Sequence, residues 1–275
     1  MEPTTGGGPH HRVAPGHEVE LAPVVRMVEA TGGRAADLRT DRLPVTTTSL
    51  WTRADHPDPD DLPLRLHFDV KAHLGFEHAV ITRQVTTVRR PARLGDRIGH
   101  HQELRSVGSP RPTPLGPGRD WQIDHVLTDA GGAVLSVETY TAVGYDPRPR
   151  SVRPAGSAAP GGEGRWSEVG VSRSTAACRV WAPVHHDPAA ARRAGLPGVI
   201  ACTQHLAAMA EHAAVSAAGP GSVVARLELR MRRPVVAGEA PRMSVRPGRT
   251  RDELVVRVEQ SGEVTTVARV VLRRP

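Results

Sequence analysis

Aromatic residues are scarce in this 275-residue chain, which holds two Phe, two Tyr and four Trp. Lysine is scarcer still: Lys71 is the only one, and the rest of the +7 net charge comes from arginine. No basic run is interleaved with rings of the kind that stack bases, and the arginines are spread among acids, so nucleic acid is not an expected partner. A diffuse positive surface suits phosphate-bearing ligands such as coenzyme A or the phosphopantetheine of an acidic carrier protein. One lysine beside abundant Ala, Gly and Pro is the mark of a GC-rich genome and points to a bacterial source. The two cysteines, Cys178 and Cys202, form no disulfide framework and no CxxC motif, which fits a reducing cytoplasm. No apolar run approaches the ~20 residues that span a bilayer, and the polar, Gly-rich start is not signal-like. No membrane association is expected. Metal binding by His185, His186 and Asp187 is disfavoured because adjacent side chains diverge, and no other ligand pair has a recognised spacing. Neither a metal nor a cofactor is expected.

What is present is an internal repeat. VRRPARLGD at 88–96 and MRRPVVAGE at 231–239 share Arg-Arg-Pro, three residues, Gly and an acid, 143 residues apart. After each comes a strand, a Gly turn and a strand, at 121–143 and 253–272, with the alternation expected of antiparallel hairpins. A repeat of this length implies duplication. The organisation expected is a flexible tail over 1–16, an N-terminal unit over 17–145, a Pro/Gly/Ser/Arg-rich linker over 146–165 and a C-terminal unit over 166–275.

Helical signals precede the strands in each half. VVRMVEA at 24–30 is a short candidate. Asp187-Pro188 followed by AAARRAG supplies an N-cap, a proline at the first helical position and a glycine stop. The alanine-rich stretch from about Ile200 to Gly219 reads as a longer helix around which a sheet can wrap closely. Helix first, then four or five antiparallel strands curling round it, twice over, is an α+β fold.

In this order the pattern resembles the MaoC-like, or hydratase 2, family of hotdog enzymes in its double-hotdog form, over roughly residues 20–275. That family carries Asp-x-Asn-Pro-x-His-x-Asp, an Ala- and Gly-rich helix, then Gly-x-Ile-Ala-His-Gly. Pro183, His185 and Asp187 stand in register with it, as do Gly198, Ile200 and Ala201. The resemblance implies that the repeated phrase lies on the strand that opens each sheet. It also implies that the N-terminal half is the acyl-chain wall and the C-terminal half carries the chemistry. The departures fall on that chemistry: the family's Asp aligns with Val180, its Asn with Ala182, and its His-Gly with Cys202-Thr203.

Adding water across a conjugated double bond needs a base, an acid and a donor for the developing enolate. Valine supplies none of them, so His185 is the expected catalytic residue, with Val180 and Ala182 as pocket wall. Asp187 reads first as an N-cap and second as a supporting group. Cys202 is either a helix-terminal nucleophile or, more simply, a small buried residue. Backbone amides near Cys202 and Thr203 would receive the thioester carbonyl. His186 is expected to be exposed, and the stripe Cys202, His205, Met209, His212 to be packing or surface. A replacement acid has a source in the segment 65–80, through Asp69 or Glu77 beside His67 and His73, although that segment also reads as a solvated loop. The proline-rich loop 108–119 has no assigned role beyond covering the tunnel.

The function expected is that of an acyl-thioester dehydratase or hydratase acting on a 3-hydroxyacyl or 2-enoyl thioester, linked to coenzyme A or to acyl carrier protein. A homodimer is compatible with this. The alternatives are a hotdog enzyme repurposed in biosynthesis for cyclisation, Michael addition or isomerisation without water, and a non-catalytic thioester-binding subunit.

Overall fold

The computed structural model describes residues 11–12, 17–53, 65–146, 164–219 and 221–273. Its helices are α1 (Leu21–Ala30), α2 (Arg65–His73), α3 (Glu168–Ala177), α4 (Pro188–Arg193) and α5 (Thr203–Ala218). The strands of the N-terminal half are β1 (His11–Arg12), β2 (His17–Glu18), β3 (His78–Val88), β4 (Arg97–Val107), β5 (Arg111–Thr113), β6 (Gly116–Thr128) and β7 (Val134–Tyr145). Those of the C-terminal half are β8 (Val223–Met231), β9 (Arg242–Pro247), β10 (Glu253–Gln260) and β11 (Glu263–Arg273). They form one antiparallel sheet in the order β1-β4-β6-β7-β3-β8-β11-β10-β9, with β2 on β4 and β5 on β6. The first main strand of each half meets the other in the middle, Arg83 pairing with Arg230 and Thr87 with Arg226. The four strands outward from this seam follow the same order on both sides, which is the double-hotdog arrangement.

The repeated phrase occupies matching places. Val88 and Met231 are the last residues of β3 and β8. The next two amides, of Arg89 and Arg90, both donate to Leu135 O, as those of Arg232 and Arg233 do to Thr265 O. Gly95 N then donates to Val19 O, just before α1, and Gly238 N to Trp166 O, just before α3. Both glycines have φ in the left-handed region, at +83° and +115°, which an L side chain rarely adopts. The phrase is therefore a strand exit and turn rather than an opening strand. Pro91 and Pro234 lack the N–H that would continue the ladder.

The two halves differ in what the sheet wraps. In the C-terminal half it wraps α5, whose Ala207, Ala210 and Ala214 pack on Leu227, Val256 and Val270. Alanine lets the helix approach the sheet closely. α5 begins at Thr203 rather than near Ile200, because Ile200 is bridged to Val236 and Ala201 N donates to Val235 O. In the N-terminal half the same place holds a 3-10 segment, Val45–Thr52, with all eight residues buried, and the short α2. Val-Thr-Thr-Thr-Ser is a poor helix former, and its hydroxyls take nearby carbonyls, Thr47 Oγ1 donating to Pro44 O and Thr52 Oγ1 to Ser49 O.

Three expectations of local structure change. Residues 65–73 are helix, held by Leu66 and Val70 in an apolar cluster with Trp121 and Ile123, and are not a solvated loop. The loop at 108–119 is a tight hairpin in which β5 pairs with the start of β6 and Arg111 clasps Asp120 at 2.8 and 2.9 Å. Within the 1–16 tail, His11–Arg12 pairs with β4, and the rest of the tail lies outside the described residues, as does most of the 146–165 linker. No helix among the described residues is long and apolar enough to cross a membrane.

Candidate functional site

The segment between α3 and α5 is anchored at its first residues. Ser167 caps α3 by accepting from Gly170 N, and the helix ends at Cys178. Arg179 then takes φ of 54°, a left-handed conformation uncommon outside glycine and a pointer to functional segments. It is held there by Nη1 donating to Leu50 O and Arg53 O at 3.0 and 3.1 Å, with its guanidinium 5.4 Å from the Trp51 ring centre. The 3-10 segment of the N-terminal half thus positions the C-terminal loop.

Val180 follows and packs against a cluster that contains Leu50, Trp51, Cys178 and Cys202. An apolar side chain is satisfied in that setting, where a carboxylate would be costly. Ala182 O accepts from His185 N, closing a short 3-10 turn over Pro183–His185. His185 Nδ1 lies 2.9 Å from Ile200 O. A carbonyl can only accept, so Nδ1 carries the proton and the lone pair of the neutral ring is on Nε2. Ile200 N in turn reaches Val184 O at 3.4 Å. Burial pushes the His185 pKa down to about 4, helped by His186 and opposed by the Ile200 bond. The ring is an uncharged base at neutral pH.

Ile200 lies just before the N-terminus of α5. Cys202 caps that helix, its Sγ accepting from His205 N at 3.4 Å. First-turn amides have no intrahelical acceptor, so those of Thr203 and Gln204 are the remaining donors at this end. Cys202 is fully buried. Burial opposes its thiolate, but hydrogen bonds from Cys178, the His205 amide and Thr175 hold its pKa below the ordinary thiol value. Cys178 is pushed up by its bond to Cys202 and by burial. Thr203 is nearly buried, with Oγ1 3.6 Å from Met231 Sδ.

Other sequence candidates stand elsewhere. Asp187 caps α4, Oδ1 accepting from Ala189 N at 2.7 Å, and Oδ2 is 3.8 Å from Arg193. Asp69 pairs with Arg65 on α2 and Glu77 stands beside His78, their side chains 41% and 84% exposed; both face solvent instead of turning inward as replacement acids. His186 is not exposed. It is half-buried, stacked on Trp181 and bonded at both nitrogens, to Ser172 Oγ at 2.7 Å and Val180 O at 2.8 Å. Because Val180 O can only accept, His186 Nε2 donates, and the ring fastens the loop to α3. In the α5 stripe, Cys202, His205 and Met209 are buried, and His212 reaches Thr31 Oγ1 at 3.1 Å. Two cavities, of about 620 and 320 Å³, open near the far end of α5, the larger bounded by Leu43, Glu211 and His212. His185, Val180 and Cys202 line neither. Among the described residues, no group of three His, Cys, Asp or Glu could hold a metal ion.

Two features lie outside the motif reading. Glu211 on α5 is buried and accepts from Val45 N, Thr46 N and Thr46 Oγ1 at 2.6 to 2.9 Å, tying the helix to the N-terminal half. A set of polar side chains, including His100, His125 and Glu138, is buried inside the N-terminal sheet. Strand alternation could have found the second set: 100, 125 and 138 have the inward parity of Ile98, Ile123 and Tyr140.

No family model matches the chain, and no curated protein matches it. Solved structures do. A MaoC-like dehydratase superposes with TM-score 0.71 at 20% identity, over 97% of this chain and 98% of that one. HtdX of Mycobacterium tuberculosis gives 0.60 at 22% over 95% and 99%. A conserved hypothetical protein of Mycobacterium tuberculosis with a double hotdog fold gives 0.59 at 14% over 98% and 97%. At such identities the likeness establishes the fold, and the site must be argued from its own residues.

Proposed function

We propose that the protein is an acyl-thioester lyase of the MaoC-like kind, in which 166–275 carries the chemistry and 17–145 holds the acyl chain. The observation that carries this reading is the Nδ1–Ile200 bond. It puts the ring proton on Nδ1 and so supports Nε2 as the basic nitrogen beside the N-terminus of α5, while burial, against this bond, favours the neutral ring. With the thioester carbonyl at the Thr203 and Gln204 amides, His185 Nε2 takes the proton from C2 and the electron pair moves into the carbonyl as an enolate. The helix terminus favours that negative charge. As the enolate collapses to the double bond, the imidazolium returns its proton to the departing C3 hydroxyl, which leaves as water. One histidine serves both steps, and Val180 supplies neither acid nor base. In reverse, water adds to a 2-enoyl thioester.

Val180 favours a second reading of the same site. Packed on Leu50, Trp51 and Cys202, it offers no group to orient water. A nucleophile carried by the substrate itself, as in cyclisation, gains from proximity what the missing carboxylate would have given. Hydration of crotonyl-CoA and of a longer 2-enoyl-CoA, followed for the wild type and His185→Ala, tests the lyase reading. Turnover lost by at least ~100-fold in the variant supports it; absence of wild-type turnover on every 2-enoyl thioester transfers the site to the second reading.

A further inference from the structure

Duplication leaves a second loop-and-helix mouth in the N-terminal half. Thr31 N donates to Met27 O at the end of α1, as Cys178 N does to Ser174 O at the end of α3. Gly32 and Arg179 then take φ of 98° and 54°, and the next amides, of Gly33 and Val180, each donate five residues back, to Val28 O and Thr175 O. At the other end of the two loops, Leu43 N donates to Ala92 O as Ala201 N does to Val235 O, the fifth residues of the repeated phrases. One residue further on come the N-caps, Pro44 of the 3-10 segment and Cys202 of α5. Val45 and Thr46 therefore hold the places that Thr203 and Gln204 hold in the C-terminal half.

The two mouths differ in what fills them. The amides of Val45 and Thr46 are taken by the Glu211 carboxylate, at 2.7 and 2.9 Å, so an acyl carbonyl finds no free donor there. Gly33 holds the place of Val180, and the His212 ring packs so close to it that a Cβ would come within 2.9 Å. Beside these groups the chain leaves a cavity of about 620 Å³, a size typical of small-molecule sites. Val28, Leu43 and Val215 give it an apolar wall, and Arg34, Arg39 and Arg42 line it as well. Arg34 pairs with Asp37 at 2.7 Å and Arg39 with Asp41 at 3.3 Å, both exposed. Solvent keeps such pairs weak, and a phosphate competes for the same guanidinium groups. Arg42 donates to Gly221 O, beyond the C-terminus of α5, so about 24 Å of helix separate it from the Thr203 amide.

We propose that this cavity is a second, non-catalytic binding site for a phosphopantetheine arm, its apolar wall taking the pantetheine and its arginines the phosphates. The ligand class rests on the thioester reading above; the site itself rests on the internal repeat and the cavity. With Glu211 on the two amides, a thioester carbonyl would go unpolarised, and the arm is held without being processed. The test is calorimetric titration of the full chain with coenzyme A at about 0.15 M salt, where screening confines a charge change to its own end of α5. Two coenzyme A per chain are expected. Arg39→Glu with Arg42→Glu should weaken one of them at least tenfold and leave the other within twofold of the wild type. Ser216→Trp, at an exposed position that lines the cavity, should weaken the same one by a similar factor, and it decides the matter alone if the arginine variant fails to fold. Coenzyme A binding that these variants leave unchanged, at one site or two, overturns the inference and leaves the thioester reading intact. Binding of no coenzyme A overturns the inference as well, and hydration of the 2-enoyl-CoA substrates then judges the thioester reading separately.

Discussion

At the scale of single residues, the proposed chemistry turns on His185, whose ring proton is placed by the Ile200 carbonyl. With its pKa at about 4, the base form of His185 persists well below the ordinary histidine range. The acid limb of kcat/KM should therefore fall near pH 4 and not near 6.5, and a pH–rate profile on a 2-enoyl-CoA substrate checks this. The double change Val180→Asp with Ala182→Asn places a carboxylate and an amide beside His185. It should raise crotonyl-CoA hydration above the wild-type level, measured side by side; no gain would mean that 180 and 182 do not face the reacting carbons. The position of His185, on a short turn bonded to Ile200 just before α5, was legible in the sequence through the Pro183, Asp187 and Gly198 phrasing around it, and Asp187 as a cap through the proline that follows it. The bonding of His186 was not, because its partners, Ser172 and Val180, become neighbours only when α3 and the loop fold together.

At the scale of elements, α5 is the piece both halves share. Its alanines meet the C-terminal sheet, and Glu211 meets the 3-10 segment of the other half. Glu211→Ala leaves the amides of Val45 and Thr46 and the Thr46 hydroxyl without their acceptor in a buried place. It should cost about 3 kcal/mol, read as a shifted midpoint in urea unfolding. Alanine content made α5 readable, and alternation made the hairpins β6–β7 and β10–β11 readable. The N-terminal counterpart was not, because Val-Thr-Thr-Thr-Ser has no helical or strand period and is fixed by burial against α5. Residues 65–73 read as loop for the opposite reason: their charges hide the small apolar stripe, Leu66 and Val70, that docks the helix.

At the scale of the whole molecule, duplication accounts for the sheet, and the two matched turns at 88–96 and 231–239 are its residue-level record. Buried histidine accounts for a second global property. Burial depresses His67, His185, His205 and His212 to about 4 and His100 to about 2. In the unfolded chain these groups bind protons near 6.5, so the unfolded state holds more protons throughout the window between. Stability is then fully present above about pH 6.5 and is lost as pH falls toward 4. Unfolding midpoints in urea should drop steeply between pH 7 and pH 5, and a flat profile would show that these rings are not buried as neutral groups. The central claim is that His185 moves the proton at C2 of an acyl thioester, whichever bond then forms or breaks. The measurement that meets it directly is solvent deuterium incorporation at C2 of a 3-hydroxyacyl-CoA or saturated acyl-CoA in D2O, by wild type and His185→Ala. Exchange by the wild type that falls at least ~100-fold in the variant is the predicted result; equal exchange by the two proteins would contradict it.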